Sequence, residues 1–219
     1  MKKIIKSIYL TWRAGQGARR IVVGRITNNF TNGVSFNYIS EGVSEAKKYG
    51  FIPYEGFPDV ERVYTSNVLD IFSHRLIKNE RNDSKYFYDF WMINPKMRED
   101  NFYLLAMTQG LVPTDNFEFL ADFYPIKDLC FISEISGLST YQISNEVLNI
   151  GDVLIAKNEE ENQYDKFAVE LYKDDMKIGY VKQIHNRVFH NTKRIPTVTV
   201  HSVEKFERLT RVFIKVKFD

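Results

Sequence analysis

The sequence predicts an α+β fold in two domains, and three observations carry that reading. Short β-branched and aromatic runs with period-two alternation fill both ends of the chain. Capped apolar segments of helical spacing occupy the middle. Near Tyr124-Pro125 the helical pattern gives way to strands again. The boundary is placed at about residue 125 of the 219, giving domains 1–125 and 126–219. The first is a small β-sheet with helices. The second is mostly strands with one short helix.

The first strand is expected over residues 4–12, with Ile8, Leu10 and Trp12 on one face and Tyr9 and Thr11 on the other. A glycine-containing loop, Ala14-Gly15-Gln16-Gly17-Ala18, leads to a second strand over 20–27. Asn32-Gly33 is a two-residue hairpin signal, because a type I′ turn needs positive φ at both central positions. The returning strand spans 34–39. Helices follow over 42–49 (stopped by Gly50), over 67–78 with Ser66 as cap, over 85–93 with Ser84 as cap, and over 101–109 with Asp100 as cap and Gly110 as stop. Pro53 and Pro58 make 51–59 irregular. Residues 117–123 alternate again, with Glu118 and Asp122 on the polar side. In the second domain strands are expected over 129–135, 152–157, 167–172, 177–181, 197–204 and 210–218, with a helix over 183–191.

Composition excludes several classes. Hydrophobic residues are 44% and charged residues 26% of the chain, enough apolar mass for a core and too much for wholesale disorder. No stretch approaches the roughly 20 apolar residues of a membrane helix, so no membrane partner is expected. Lys6 and Arg13 interrupt the apolar start and no small-residue cleavage site follows, so no signal peptide is expected. With one cysteine, Cys130, neither an internal disulfide nor a cysteine zinc site can form. The expected location is the cytoplasm. Net charge is +2, so an electrostatic partner has to be read from local patches. Residues 126–175 hold four Lys/Arg against eleven Asp/Glu, −7; residues 176–219 hold ten against three, +7. Two readings stay open. The late basic residues share a face suited to a polyanion, or they pair with the acids across the sheet.

No catalytic set emerges, and the chain is expected to be non-enzymatic, without cofactor or metal. His74, His185, His190 and His201 lack metal spacing. His185 and His190 are five apart, about 140° round a helix, and do not converge as an i, i+4 pair does. Gly15 and Gly17 lack the rest of a phosphate loop and sit in an apparent hairpin. Glu159-Glu160-Glu161 reads as a solvated turn, and Cys130 as a small buried hydrophobe.

The informative segment runs from residue 129 to 182. It contains Ile135-Ser136-Gly137-Leu138-Ser139-Thr140-Tyr141, then Gly151-Asp152, then Asn162-Gln163-Tyr164-Asp165-Lys166-Phe167-Ala168-Val169, then Ile178-Gly179-Tyr180-Val181. This order and spacing resembles the HIRAN domain, over roughly residues 128–218. The resemblance implies a small β-barrel with added helices that binds nucleic acid and has no catalysis of its own. In the family's fork-remodelling helicases the domain captures the 3′ end of single-stranded DNA, with aromatics holding terminal bases and the turn aspartate accepting from the 3′-hydroxyl. Carried onto this chain, the nucleic-acid-binding residues are Tyr141, Asn162, Tyr164, Asp165 and Tyr180, with Gly179 in the same motif. Lys182, His185 and Arg187 follow as candidate phosphate contacts. A tyrosine face stacks on any base for about 1–3 kcal/mol, and a carboxylate accepts from a hydroxyl but repels a phosphate. The chain departs from the helicase pattern at Ser139 and Thr140, where that pattern has a basic residue and an aromatic, and at Gln183, where it has a second lysine. A purely structural reading stays open beside this one: Asn162 and Asp165 as a turn, Tyr164 and Tyr180 as packing.

The first half carries a second resemblance. Val23-Gly24-Arg25-Ile26, Val34-Ser35-Phe36-Asn37-Tyr38, Phe51-Ile52-Pro53, Phe57-Pro58 and Phe72-Ser73-His74-Arg75-Leu76 look like the N-terminal subdomain of HipA-like toxin kinases, over roughly residues 6–120. The kinase core is absent. The resemblance implies a docking or regulatory module. The expected function is a DNA-binding adaptor for single-stranded or end-containing DNA, with a protein-docking first half. The alternative is an antitoxin-like regulator of a HipA-type kinase that does not bind DNA.

Overall fold

Alternating apolar side chains build a four-stranded sheet in the first half of the chain. A computed structural model describes residues 3–15, 17–31, 33–77, 84–112, 115–141, 143–190, 192–205 and 209–219. They divide into two units, Ile5–Asp122 and Phe123–Asp219, the latter with the N-terminal residues up to Ile4.

In the first unit the sheet order is β3-β2-β1-β4, from β1 (Ile5–Trp12), β2 (Ile21–Asn29), β3 (Gly33–Tyr38) and β4 (Phe117–Phe123). Strands β1, β2 and β3 are antiparallel in sequence order. Gly33 pairs with Asn29 at the hairpin and takes the positive φ, 67°, that its turn requires. Asn32, Gln16 and Lys78, on which the turn, loop and helix expectations partly rest, lie outside the described residues. Ile8, Leu10, Val23, Ile26 and Phe36 are fully buried. Thr11, expected opposite the core face, is buried as well. Strand β1 lies between β2 and β4, and both its faces are covered. The Thr11 hydroxyl donates to the Glu118 carbonyl at 3.1 Å. Glu118 and Asp122 are also buried, and cations compensate them: Arg20 reaches Glu118 at 2.5 Å and Lys6 reaches Asp122 at 3.2 Å.

Among the described residues four short α-helices accompany this sheet: α1 (Ser40–Lys47), α2 (Val68–Ser73), α3 (Ser84–Phe90) and α4 (Asn101–Thr108). Helix α4 is buried from Phe102 to Thr108, so it is apolar all round rather than amphipathic. Its cap is the expected one, the Asp100 carboxylate accepting from the Tyr103 amide at 2.9 Å. Helix α2 is shorter than expected, and Ser66 does not cap it. Asn67 stands at its N-terminus in the left-handed conformation, φ 54°, and makes no side-chain cap. Helix α3 also ends early, where Met92 turns to φ 56°.

The second unit is a closed six-stranded barrel in the order β10-β5-β8-β7-β6-β9. Its strands are β5 (Cys130–Ser136), β6 (Val153–Asn158), β7 (Val169–Lys173), β8 (Met176–Val181), β9 (Thr197–Lys205) and β10 (Leu209–Lys217). All its neighbouring strands are antiparallel. The inward residues Phe131, Leu154, Val169, Leu171, Ile178, Val198, Val212, Ile214 and Val216 fill the interior, as in other small barrels. Two helical pieces attach. One is α5 (Leu138–Tyr141), not expected from the sequence. The other is a 3₁₀ turn, His185–Phe189, within the expected helix at 183–191.

Closure between β5 and β8 depends on Gly179. A side chain there would place its Cβ 2.5 Å from the Ser136 carbonyl oxygen and 2.7 Å from Ile135 Cγ2, at φ 149°. Gly179→Ala is therefore expected to destabilise the protein by about 2 kcal/mol or more. Urea unfolding checks this, with Gly15→Ala, where an added Cβ meets nothing, as the control.

Candidate nucleic-acid interface

The outer face of the barrel over β6, β7 and β8 gathers aromatic and charged side chains. Antiparallel pairing sets Lys157 opposite Glu170 and Glu170 opposite Tyr180, which makes one cross-strand row. A register shift after Leu171 brings Tyr172 opposite Lys177. Helix α5 adds Tyr141 to the same place. The Tyr141 and Tyr180 rings lie 6.4 Å apart, tilted by 49°.

Lys177 is the centre of this group. Its Nζ donates to Glu170 Oε1 at 2.5 Å and to the Tyr180 hydroxyl at 2.7 Å. It lies 4.4 Å from the Tyr180 ring centre and 5.5 Å from that of Tyr141. Glu170 accepts the Tyr172 hydroxyl on its other oxygen at 3.0 Å, and Lys157 sits 4.6 Å over the Tyr172 ring. Partial burial works against the Lys177 ammonium, yet its bonds to Glu170 and Tyr180 and the nearby Tyr141 outweigh that and hold its pKa above the ordinary value. Burial pushes the Tyr180 hydroxyl up to about 12. The bond from Lys177 lowers the Glu170 carboxyl below its ordinary 4.5. A lowered carboxyl stabilises the fold above its ordinary value, and that contribution fades as pH falls through the lowered one.

The turn between β6 and β7 holds the next residues. Asn162 Oδ1 accepts from the backbone amides of Tyr164 and Asp165, both at 2.9 Å, and its Nδ2 donates to Glu159 Oε2 at 2.7 Å. Asn162 therefore shapes the turn. Tyr164 is 78% exposed. Asp165 accepts from the Phe167 amide at 2.9 Å and from Asn186 Nδ2 at 2.7 Å. Around the Phe167 ring stand Lys166 at 5.1 Å, Arg187 at 5.4 Å and the His190 ring at 5.4 Å.

Of the eight residues the sequence singled out, the structure joins Tyr141 and Tyr180 in one cluster and places Asn162 in the turn between β6 and β7. Tyr164 and Asp165 come from that same turn, and Arg187 flanks the turn at Phe167. Two residues are placed elsewhere. Lys182 is 1% exposed, its ammonium 2.7 Å from Glu134, which Arg211 also pairs at 3.3 Å. His185 is equally buried, bonded to the Ser133 hydroxyl at 2.9 Å and packed on Phe123 and Phe131. The chain turns inward just past β8, so neither side chain meets the surface, and their assignment as phosphate contacts is corrected. The structure also decides between the two charge readings for three late cations. Lys177, Lys182 and Arg211 pair with acids of the preceding stretch.

Reasoning from sequence missed Lys177, Glu170, Tyr172, Lys157 and Phe167. Strand alternation puts Glu170 and Tyr172 on one face. The shift that adds Lys177 to them leaves no mark in the sequence. Among the described residues no three His, Cys, Asp or Glu side chains gather as a metal site, and no helix is long and apolar enough to cross a membrane.

Comparison with known proteins fits this barrel. Residues 129–216 match the family model of the HIRAN domain. The match does not extend to the N-terminal sheet. A search of curated proteins gave no match. Among solved structures, the HIRAN domain of human HLTF is similar at 15% identity, over 40% of this chain and 74% of that one, with a TM-score of 0.32.

The buried Lys182–Glu134 pair makes a testable demand. Lys182→Ala leaves Glu134 short of a partner and is expected to cost about 3 kcal/mol of stability. Chemical denaturation measures it. A variant as stable as the parent would place this lysine outside the core.

Proposed function

We propose that the barrel binds nucleic acid through the Tyr141–Tyr180 face and the cation-flanked Phe167, taking single-stranded DNA or a DNA end as its ligand. HIRAN domains bind DNA, and residues 129–216 match that family. The observation that carries the reading is the geometry of the outer face. Two half-buried tyrosines lie beside a turn that presents Tyr164 to solvent, with Lys166 and Arg187 against Phe167. A base fits on an outer ring face rather than between the rings. Sandwiching needs about 7 Å between parallel rings, two contact distances, and the pair stands at 6.4 Å and 49°. Phosphates following the stacked bases would meet Lys166 and Arg187.

Capture of a 3′-hydroxyl at Asp165 is the finer part of the proposal. Each of its oxygens accepts one bond in the free protein and has a lone pair left for a second. A terminal phosphate at the same place would be repelled. The N-terminal unit is proposed as a protein-docking half, which makes the whole an adaptor without catalysis. Its support is the exposure of Phe30, Ile52 and Val63.

Fluorescence anisotropy with labelled single-stranded oligonucleotides tests the reading. The protein is expected to bind a strand ending in a 3′-hydroxyl more tightly than one ending in a 3′-phosphate. Tyr180→Ala is expected to weaken binding by about tenfold. Arg187→Gln is expected to reduce the slope of log K against log salt by about 0.7. Absence of binding to any strand at low salt contradicts the proposal. Equal binding to the two ends removes only the role of Asp165.

A further inference from the structure

The tyrosine pair of the proposed interface comes from two separate pieces of chain, α5 and β8, and both rings lie against one ammonium. An ammonium has three hydrogens to give. Two of those of Lys177 serve Glu170 and Tyr180, and the ammonium lies 5.5 Å from the Tyr141 ring centre. The side chain is 24% exposed, and Glu170 on the far side of the ammonium is 16% exposed. With two hydrogens engaged and the side chain three-quarters buried, little of this lysine is left for a phosphate. Glu170 is itself fixed from a second direction by the Tyr172 hydroxyl at 3.0 Å. Each tyrosine ring has two side-chain torsions that a ligand would otherwise have to order, at a cost to affinity.

We infer that Lys177, held by Glu170, is a positioning residue for the nucleic-acid face: it fixes the Tyr141 and Tyr180 rings for base stacking and does not itself contact a phosphate. This rests on the nucleic-acid reading above and adds a residue pair that the motif did not indicate. It also explains why an acid sits in the middle of a surface meant for a polyanion. Glu170 repels phosphate at long range, but it keeps the ammonium against the rings.

The experiment uses the full chain and a fluorescein-labelled twelve-residue oligothymidylate, titrated over a range of salt concentrations. Lys177→Gln is expected to weaken binding about tenfold at every salt concentration and leave the salt slope unchanged. Lys177→Arg, which keeps the charge and can still bridge Glu170 to the rings, is expected to restore most of the affinity. Glu170→Gln separates the inference from simple electrostatics. Removing a negative charge beside a polyanion ordinarily tightens binding, whereas loss of the clamp weakens it, and weakening by several-fold is expected. Thermal melts of each variant confirm that the barrel is folded. Tighter binding by Glu170→Gln overturns the inference, as does unchanged affinity in Lys177→Gln or a slope lowered by about 0.7. Failure of the unmodified protein to bind overturns the nucleic-acid reading and this inference together. Binding by the unmodified protein that Lys177→Gln leaves intact overturns the inference alone.

Discussion

Strand β10 pairs on one side with β9 and on the other with β5, and this joins the ends of the second sheet into a ring. Closure leaves the barrel with an inside and an outside, and it sorts every polar side chain between them. Three of the late basic residues are neutralised, because closure brings them next to earlier acids. Lys182 and Arg211 meet Glu134, and Lys177 meets Glu170. Charge blocks opposed along the sequence become pairs across the barrel. The proposed ligand face is the aromatic outer one, with Lys166 and Arg187 as local cations.

That face can discriminate in a way a basic patch cannot. Phosphate contacts attract any polyanion and fade with salt. Stacking on a tyrosine ring needs an unpaired base whose face is accessible. In a duplex those faces are covered, so a ligand held as proposed is a single strand or an end. The turn at Asn162 contributes by rigidity. Its side chain is spent on two backbone amides and on Glu159, and that fixes where Tyr164 and Asp165 emerge.

Much of the architecture was legible because alternation reports burial directly. All ten strands fall near their expected positions. Departures occur where neighbours override local pattern. Thr11, Glu118 and Asp122 looked polar-facing, yet their strands are covered on both sides, with the Thr11 hydroxyl hydrogen-bonded and the two carboxylates ion-paired. The short α2 has a backbone cause, the left-handed Asn67. For the candidate interface, the motif blocks supplied Tyr141, Asn162, Tyr164, Asp165 and Tyr180, which fall on α5, β8 and the turn between β6 and β7. The flanking cations were harder. Lys182 and His185 follow the strand by one and four residues, and whether such residues face in or out depends on how the chain turns after β8. Lys177 was hidden for the opposite reason. It meets Glu170 seven positions away through a hairpin whose register shifts by one, and no pattern in the sequence records that shift.

The central claim is that nucleic acid lies on the Tyr141–Tyr180 face of the barrel. The most direct measurement is the change in tyrosine ring proton resonances as a short unlabelled oligothymidylate is added, with assignment through Tyr141→Phe and Tyr180→Phe. Stacked bases are expected to move the ring signals of Tyr141 and Tyr180 upfield in proportion to occupancy. Saturable binding that leaves both rings unmoved, and shifts residues of the N-terminal sheet instead, would contradict it.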